Sequence, residues 1–201
     1  MRDESSGGAR ARDSLRPETV EPLLQGRFGR PYRFFQRCES TQRELPPDVP
    51  EGAVVVAEEQ TGGRGRLGRP WFAAPGTSLL FSINLRPRVE TPRLPELSIL
   101  AGAACAEAIR EVTGLLPEIK PPNDLLAGGR KLAGILAEAR ENRVVLGVGI
   151  NVNVAAEDLP RNVDRQPTSL LAELGTPVDR APLLAAILLA LEGSYDAWVR
   201  R

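Results

Sequence analysis

The segment Gly62-Gly63-Arg64-Gly65-Arg66-Leu67-Gly68-Arg69 packs four glycines and three arginines into eight positions. Glycine lets a backbone turn successive amides toward a ligand, and arginine adds forked donors, so the segment reads as a nest for carboxylate or phosphate. No Gly-Lys-Ser/Thr follows, so it is not a P-loop, and it is not a dinucleotide-binding turn. A flexible surface loop, or an arginine–glycine segment for RNA, is the other reading. One short copy between two strand-like segments argues against RNA.

Two further segments could take part in the same chemistry. Lys120-Pro121-Pro122-Asn123-Asp124 is followed, after Gly128-Gly129, by Arg130-Lys131-Leu132-Ala133-Gly134-Ile135-Leu136. The prolines keep Lys120 and Pro121 extended and fix where Asn123 and Asp124 point. A tight hairpin would bring Asp124 and Lys131 together, and a lysine beside a carboxylate can neutralise a second, bound anion. The alternative these residues leave open is a surface ion pair worth about 0–1 kcal/mol. In Leu146-Gly147-Val148-Gly149-Ile150-Asn151-Val152-Asn153, two glycines interrupt a β-branched strand. They weaken it unless something approaches the backbone closely, a flat ring such as adenine or a bulge in the core.

These segments must be held by ordinary elements. A polar N-terminal stretch, residues 1–16, reads as a mobile tail. Residues 17–25 suit a short helix with Pro17 in its first turn, closed by Gly26. Strand-like runs cover Tyr32–Cys38, Ala53–Glu58 and Ser78–Leu85, with the proline-rich LPPDVPEG between the first two. Leu94–Val112 has helical spacing and stops at Gly114. Three short β-like runs follow, Glu118–Lys120, Leu132–Glu138 and Val144–Ile150, with a turn at Glu141-Asn142-Arg143. Ser169–Leu174 and Arg180–Trp198 read as helices. The expected fold is one α/β domain, of α+β type, with a meandering and hence mixed sheet flanked by helices.

Composition removes whole classes of function. The 201 residues carry 26 basic and 26 acidic side chains and no histidine. Histidine-based triads and histidine-ligated metals are therefore excluded. Zero net charge argues against gripping nucleic acid through bulk charge. Cys38 and Cys105 are too few for a disulfide scaffold and read as small buried hydrophobes. The N-terminus does not resemble a signal peptide, and the longest apolar run, 181–191, is too short to span a bilayer, so a cytoplasmic protein is expected. Among the 26 basic residues, Lys120 and Lys131 are the two lysines. Lysine supplies a compact ammonium that fits against single oxygens, which arginine does not.

Four blocks, taken in order, closely resemble the catalytic domain of biotin–protein ligases: Ser40-Thr41; Glu59-Gln60-Thr61 through Gly68-Arg69-Pro70-Trp71; Lys120–Asp124 with Arg130–Leu136; and Gly147–Asn151. They span residues from about 32 to 175. The resemblance implies a fold like that of class II aminoacyl-tRNA synthetases and a two-step reaction. Biotin's carboxylate attacks the α-phosphate of ATP, giving biotinyl-5′-AMP and pyrophosphate. A lysine on the biotin carrier domain of a carboxylase then displaces AMP. Positioning and charge suffice for such chemistry.

The resemblance also implies residue roles. Ser40, Thr41 and Gln60 match the groups that hold the ureido ring of biotin. Gly63, Arg64, Gly65 and Arg66 match the loop that closes over biotin and adenylate, and this loop is expected to be mobile until ligand orders it. Trp71 matches an aromatic that stacks on adenine. Lys131 matches the lysine contacting the carboxylate and α-phosphate, Asp124 the aspartate that helps deprotonate the acceptor lysine, and Arg66 joins them as a catalytic candidate. Gly134 and Leu136 would line the biotin pocket; Asn123, Gly147, Ile150 and Asn151 the nucleotide side. Mg²⁺ is expected with ATP, held mainly by phosphate and water, with no protein metal site. Pro121 stands where the family pattern has tryptophan, and Gln42 where it has asparagine. The catalytic domain is expected over 17–201, without an N-terminal DNA-binding domain or a C-terminal β-barrel domain. The resemblance allows a homodimer paired through the sheet; no nucleic acid or membrane is expected as partner. Two other functions stay open at this point: a non-catalytic binder of biotin or biotinyl-AMP, and a lipoate or octanoate ligase of the same superfamily.

Overall fold

A computed structural model describes residues 13–160 and 165–201. After a short helix α1 (Pro17–Val20) come β1 (Tyr32–Phe35), β2 (Val54–Ala57) and β3 (Ser78–Leu85), then helix α2 (Glu96–Thr113). The chain continues through β4 (Glu118–Lys120), β5 (Asp124–Ala127), β6 (Arg130–Arg140) and β7 (Arg143–Asn151), and ends in α3 (Leu170–Leu174) and α4 (Arg180–Val199). The seven strands form one sheet in the order β1-β2-β3-β7-β6-β5-β4. β1 and β2 are parallel and every other neighbour is antiparallel, so the sheet is mixed as expected. β5 is a strand in its own right, which the sequence reading had given only as one side of a turn.

The period of two along β3 and β7 decides which face does what. Leu79, Phe81, Ile83 and Leu85 of β3 and Val144, Leu146, Val148 and Ile150 of β7 belong to the main core, alongside Ala101, Cys105 and Ile109 of α2 and Leu183, Ile187 and Leu191 of α4. The alternate residues, Ser82, Asn84, Gly147, Gly149 and Asn151, face the other way. There a small second cluster, Leu45, Ala53, Val55 and Val145, seats the connection between β1 and β2. Gly114, in the left-handed conformation at φ 77°, ends α2 by returning its N–H to the Arg110 carbonyl. The Ser169 hydroxyl caps α3 by accepting from the Ala172 N–H at 3.0 Å. By length and composition α4 could cross a membrane, yet nine of its residues are buried in the protein.

The expected tail ends earlier than residue 16. Residues 1–12 lie outside the described residues. Leu15 is fully buried in the core, and its carbonyl accepts the Tyr32 hydroxyl at 2.7 Å. Asp13 pairs with Arg180 at the start of α4. One leucine in a polar stretch carries no periodicity, so its burial has no local signal. We expect Leu15→Ala to cost about 2–4 kcal/mol in urea unfolding. A residue of a mobile tail would cost under about 0.5 kcal/mol.

Candidate active site

Lys131 and Gly134 are three positions apart on β6, which in a regular strand would put them on opposite faces. A bulge changes that. Asp124 pairs with Gly134 and Leu125 with Ala133, but Leu126 pairs with Lys131, so the register shifts between Leu125 and Leu126. The residues between, Leu132 and Ala133, both go to the core at 0% exposure, and Lys131 and Gly134 share the open face. The Lys131 Nζ then lies 2.9 Å from Asp124 Oδ1, an ion-pair contact without a directed hydrogen bond. The backbone of Lys131 is fixed on its other edge: its N–H donates to the Gln166 carbonyl and its carbonyl accepts from the Thr168 N–H, both at 2.8 Å.

Three glycines keep this face flat. A Cβ on Gly149 would meet the Trp71 indole at 2.7 Å, and one on Gly134 would meet it at 3.0 Å. The space expected for a planar ligand thus already holds a ring of the protein itself. Lys131 Nζ stands 5.7 Å from that ring's centroid, and the indole Nε1 is buried without a hydrogen-bond partner. Gly147 serves a different end of the cleft. Its missing Cβ leaves room for Gln42, whose amide nitrogen would lie 2.9 Å from it and donates at 3.0 Å to the Leu136 carbonyl. Gly147 therefore lines the cleft beside the Ser40–Gln42 turn. Ile150, expected on the nucleotide side, is fully buried on the helix-facing side of β7 and lines nothing in the cleft. Strand alternation is the reason: Gly149 and Asn151 face the cleft, and Ile150 between them cannot.

At the far end, Gln60 organises the polar wall. Its carbonyl oxygen accepts the Thr41 N–H at 2.7 Å and the Thr41 hydroxyl at 3.1 Å, and that hydroxyl lies 2.7 Å from the Ser82 hydroxyl. Gln60 thus spends its carbonyl oxygen within the protein. Ser40 sits beside them on the cleft wall, and its carbonyl accepts from the Arg43 N–H. The glycine–arginine segment folds back on itself: Gly65 N–H donates to the Arg69 carbonyl at 2.7 Å, and Trp71 N–H to the Gly63 carbonyl at 2.9 Å. Leu67 takes φ 59° at the tip, next to Gly68 at 73°. Gly63 itself is buried and outside the cleft lining, because its carbonyl closes the hairpin. Arg64, Gly65 and Arg66 do line the cleft. Asn123 bridges to β6 through its Nδ2 and the Ile135 carbonyl at 3.1 Å, and Asn151 donates to the Thr168 carbonyl at 2.9 Å.

The cleft that results measures about 730 Å³, within the usual range for small-molecule sites. Among the described residues, Arg64, Arg66, Arg69, Lys131 and Arg165 line it against one carboxylate, Asp124. Such a site attracts anions and stabilises negative charge that builds up during reaction. The two cysteines take no part: burial pushes the Cys38 thiol up to about 11 and the Cys105 thiol to about 12, so both stay protonated at neutral pH. Sequence reasoning missed Gln42 and Ser82 as lining residues, though Ser82 follows from the alternation of β3. It also missed Arg165 and Pro167, which reach the cleft because the segment before α3 pairs with Lys131.

Comparison with known proteins fits this geometry. The model of the biotin/lipoate A/B protein ligase family matches residues 34–154. The chain is 41% identical over 204 residues to the biotin–[acetyl-CoA-carboxylase] ligase of Mycobacterium tuberculosis, covering 93% of this chain and 74% of that one. It is 40% identical over 163 residues to the bifunctional ligase/repressor BirA of Bacillus subtilis; the match covers 78% of this chain but spans half the length of that relative. The biotin protein ligase of Aquifex aeolicus, solved with biotin and ATP, superposes with a TM-score of 0.77 at 31% identity, over 84% of this chain and 71% of that one. A mixed sheet with an open basic cleft, on a chain matched over this much of its length, defines a ligase-type catalytic fold. The chain belongs to the biotin/lipoate A/B protein ligase family.

The indole's position is directly testable. In a Trp198→Phe background Trp71 is the one tryptophan left. Adding Gly149→Ala should displace the ring, red-shift its emission and raise its quenching by iodide, at a cost of about 1–3 kcal/mol in stability. Unchanged emission would show that the indole does not rest on Gly149.

Proposed function

We propose that this chain is an ATP-dependent ligase that activates biotin as biotinyl-5′-AMP and transfers the biotinyl group to a lysine on the biotin carrier domain of a carboxylase. The observation that carries this reading is the position of Lys131. Its ammonium sits between one carboxylate, the Trp71 indole and a loop of arginines, in a cleft whose other end is a wall of amide and hydroxyl groups. Biotin has a polar ureido ring at one end and a carboxylate at the other, and the cleft has matching chemistry at matching ends. The Mycobacterium relative is named for biotin and a carboxylase, and the Aquifex relative was solved with biotin and ATP, which supports this reading.

In the first step a carboxylate oxygen of biotin bonds to the α-phosphorus of ATP, and the bond to pyrophosphate breaks. Two anions must meet, so Lys131 swings from Asp124 to bridge the carboxylate and the α-phosphate, and Arg64 and Arg66 close over the product. Gln60, with Ser40 and Thr41 behind it, holds the ureido ring; Gly134 and Leu136 flank the chain of biotin. Trp71 offers a face to adenine, with Asn123 and Asn151 at that end. In the second step the acceptor amine attacks the acyl carbon, AMP leaves with the bonding electrons, and Asp124 takes the amine's proton. Mg²⁺ enters with ATP. It would be carried mainly by phosphate oxygens and water. The setting is cytoplasmic, and a second copy can pair through the sheet.

The test is mass-spectrometric detection of the acyl-adenylate after mixing the protein with ATP, Mg²⁺ and biotin, lipoate or octanoate. Biotinyl-AMP alone is the expected product. An adenylate from lipoate or octanoate alone would move the substrate, and biotin binding without any adenylate would make the chain a binding protein. Lys131→Ala should slow adenylate formation about 100-fold or more while leaving most of the biotin affinity.

A further inference from the structure

Twenty residues, Glu58 to Thr77, separate β2 from β3, and among them are Gln60, Arg64, Arg66 and Trp71. The two ends of this loop are joined by one carboxylate. Glu58, directly after β2, accepts the Gly76 N–H on Oε2 at 3.0 Å. The same carboxylate receives both arms of Arg180, NH1 to Oε2 at 2.7 Å and NH2 to Oε1 at 3.2 Å. Arg180 NH1 also donates to the Ser78 carbonyl at 3.0 Å, just past the loop's other end. The remaining donors go to Asp13: Nε to its carboxylate at 3.0 Å and NH2 to its carbonyl at 2.9 Å. All five guanidinium N–H groups are thus used, on a side chain 3% exposed. Burial works against the charge, but Glu58 and Asp13 outweigh it and hold the Arg180 pKa above its ordinary value.

The clamp meets the cleft at both loop ends. On the β2 side, Glu59 and Thr61 exchange backbone hydrogen bonds with Cys38, which holds Gln60 beside Ser40 and Thr41. On the β3 side, the Thr77 carbonyl accepts the N–H groups of Val152 at 3.1 Å and Asn153 at 2.6 Å, directly after Asn151. We propose that Glu58 and Arg180 are positioning residues for the ligase reaction: by pinning both ends of the loop in the unliganded protein, they set where Gln60, Arg64, Arg66 and Trp71 stand when the loop closes. The proposal rests on the function given above. A loop whose ends are already joined has less freedom to lose on closing over substrate. The benefit falls on substrate and adenylate alike, so it is read in KM and not in kcat.

Glu58→Gln tests it. The amide has one acceptor oxygen and cannot serve Gly76 and both arms of Arg180. Biotin KM should rise about tenfold, kcat at saturating biotin should stay within about twofold, and trypsin should cut at Arg64 and Arg66 at biotin concentrations that protect the unaltered protein. Asp13→Asn loosens the same guanidinium from the outside, away from the loop, and should lower Tm without changing KM. Unchanged KM and normal ligand protection in a folded Glu58→Gln protein would overturn the proposal, as would an equal KM rise in Asp13→Asn. Should Glu58→Gln not fold, Arg180→Lys keeps a cation beside Glu58 but loses the fork, and the same KM rise is expected. In the unaltered protein without ligand, the Gly76 amide should exchange with deuterium much more slowly than those of Gly62–Gly68, and equal rates would also overturn the clamp. An unaltered protein that makes no adenylate contradicts the function instead, and this exchange measurement still decides whether the clamp exists.

Discussion

Lys131 and Gly134 share a face because β6 carries one residue more than β5 opposite it, and most of the site follows from that bulge. Without it, Lys131 and Gly134 would fall on opposite faces, and the ammonium would point into the helix-packed core. With it, Leu132 and Ala133 together supply the core, and the cleft gains a lysine next to a glycine. The position also needs an edge for the lysine's own backbone, which residues 166–168 provide. The turn before α3 is therefore part of the cleft's wall.

Charge is concentrated by shape. The chain as a whole is neutral, yet the cleft gathers four arginines and a lysine against one aspartate. Other arginines are occupied elsewhere: Arg143 donates to the Pro46 and Leu45 carbonyls and to Asn84, and Arg86 to the carbonyls of Pro47 and Val49. These forks tie down the proline-rich connection, whose carbonyls no strand satisfies. Arginine thus acts here as a fastener for irregular backbone, while Lys131 has its protons undirected. Lys120, the second lysine, lies exposed on edge strand β4, opposite Asp124 in register but outside the cleft.

Much of this was legible from sequence because periodicity and glycine carry direct physical meaning. The β3, β6 and β7 runs, helix α2 with its Gly114 stop, and the Asp124–Lys131 encounter all follow from spacing. The errors have the same origin. Strand alternation puts Ile150 in the core, against the motif, and the contact of Gly147 with Gln42, 105 residues away in the chain, has no local signal. Nothing local marks Leu15 as core or Asp13 as a partner of Arg180. Those contacts depend on where α4 returns across the sheet, a long-range fact that no pattern of neighbouring residues encodes.

In the proposed reaction Lys131 is a cation that Asp124 holds until substrate takes it over. A crystal structure of the protein with biotinyl-5′-AMP tests it most directly. Nζ is expected within about 3 Å of both the acyl oxygen and the phosphate, with the contact to Asp124 broken or stretched. A ligand seated elsewhere, or Nζ still on Asp124 with the adenylate in the cleft, would contradict it.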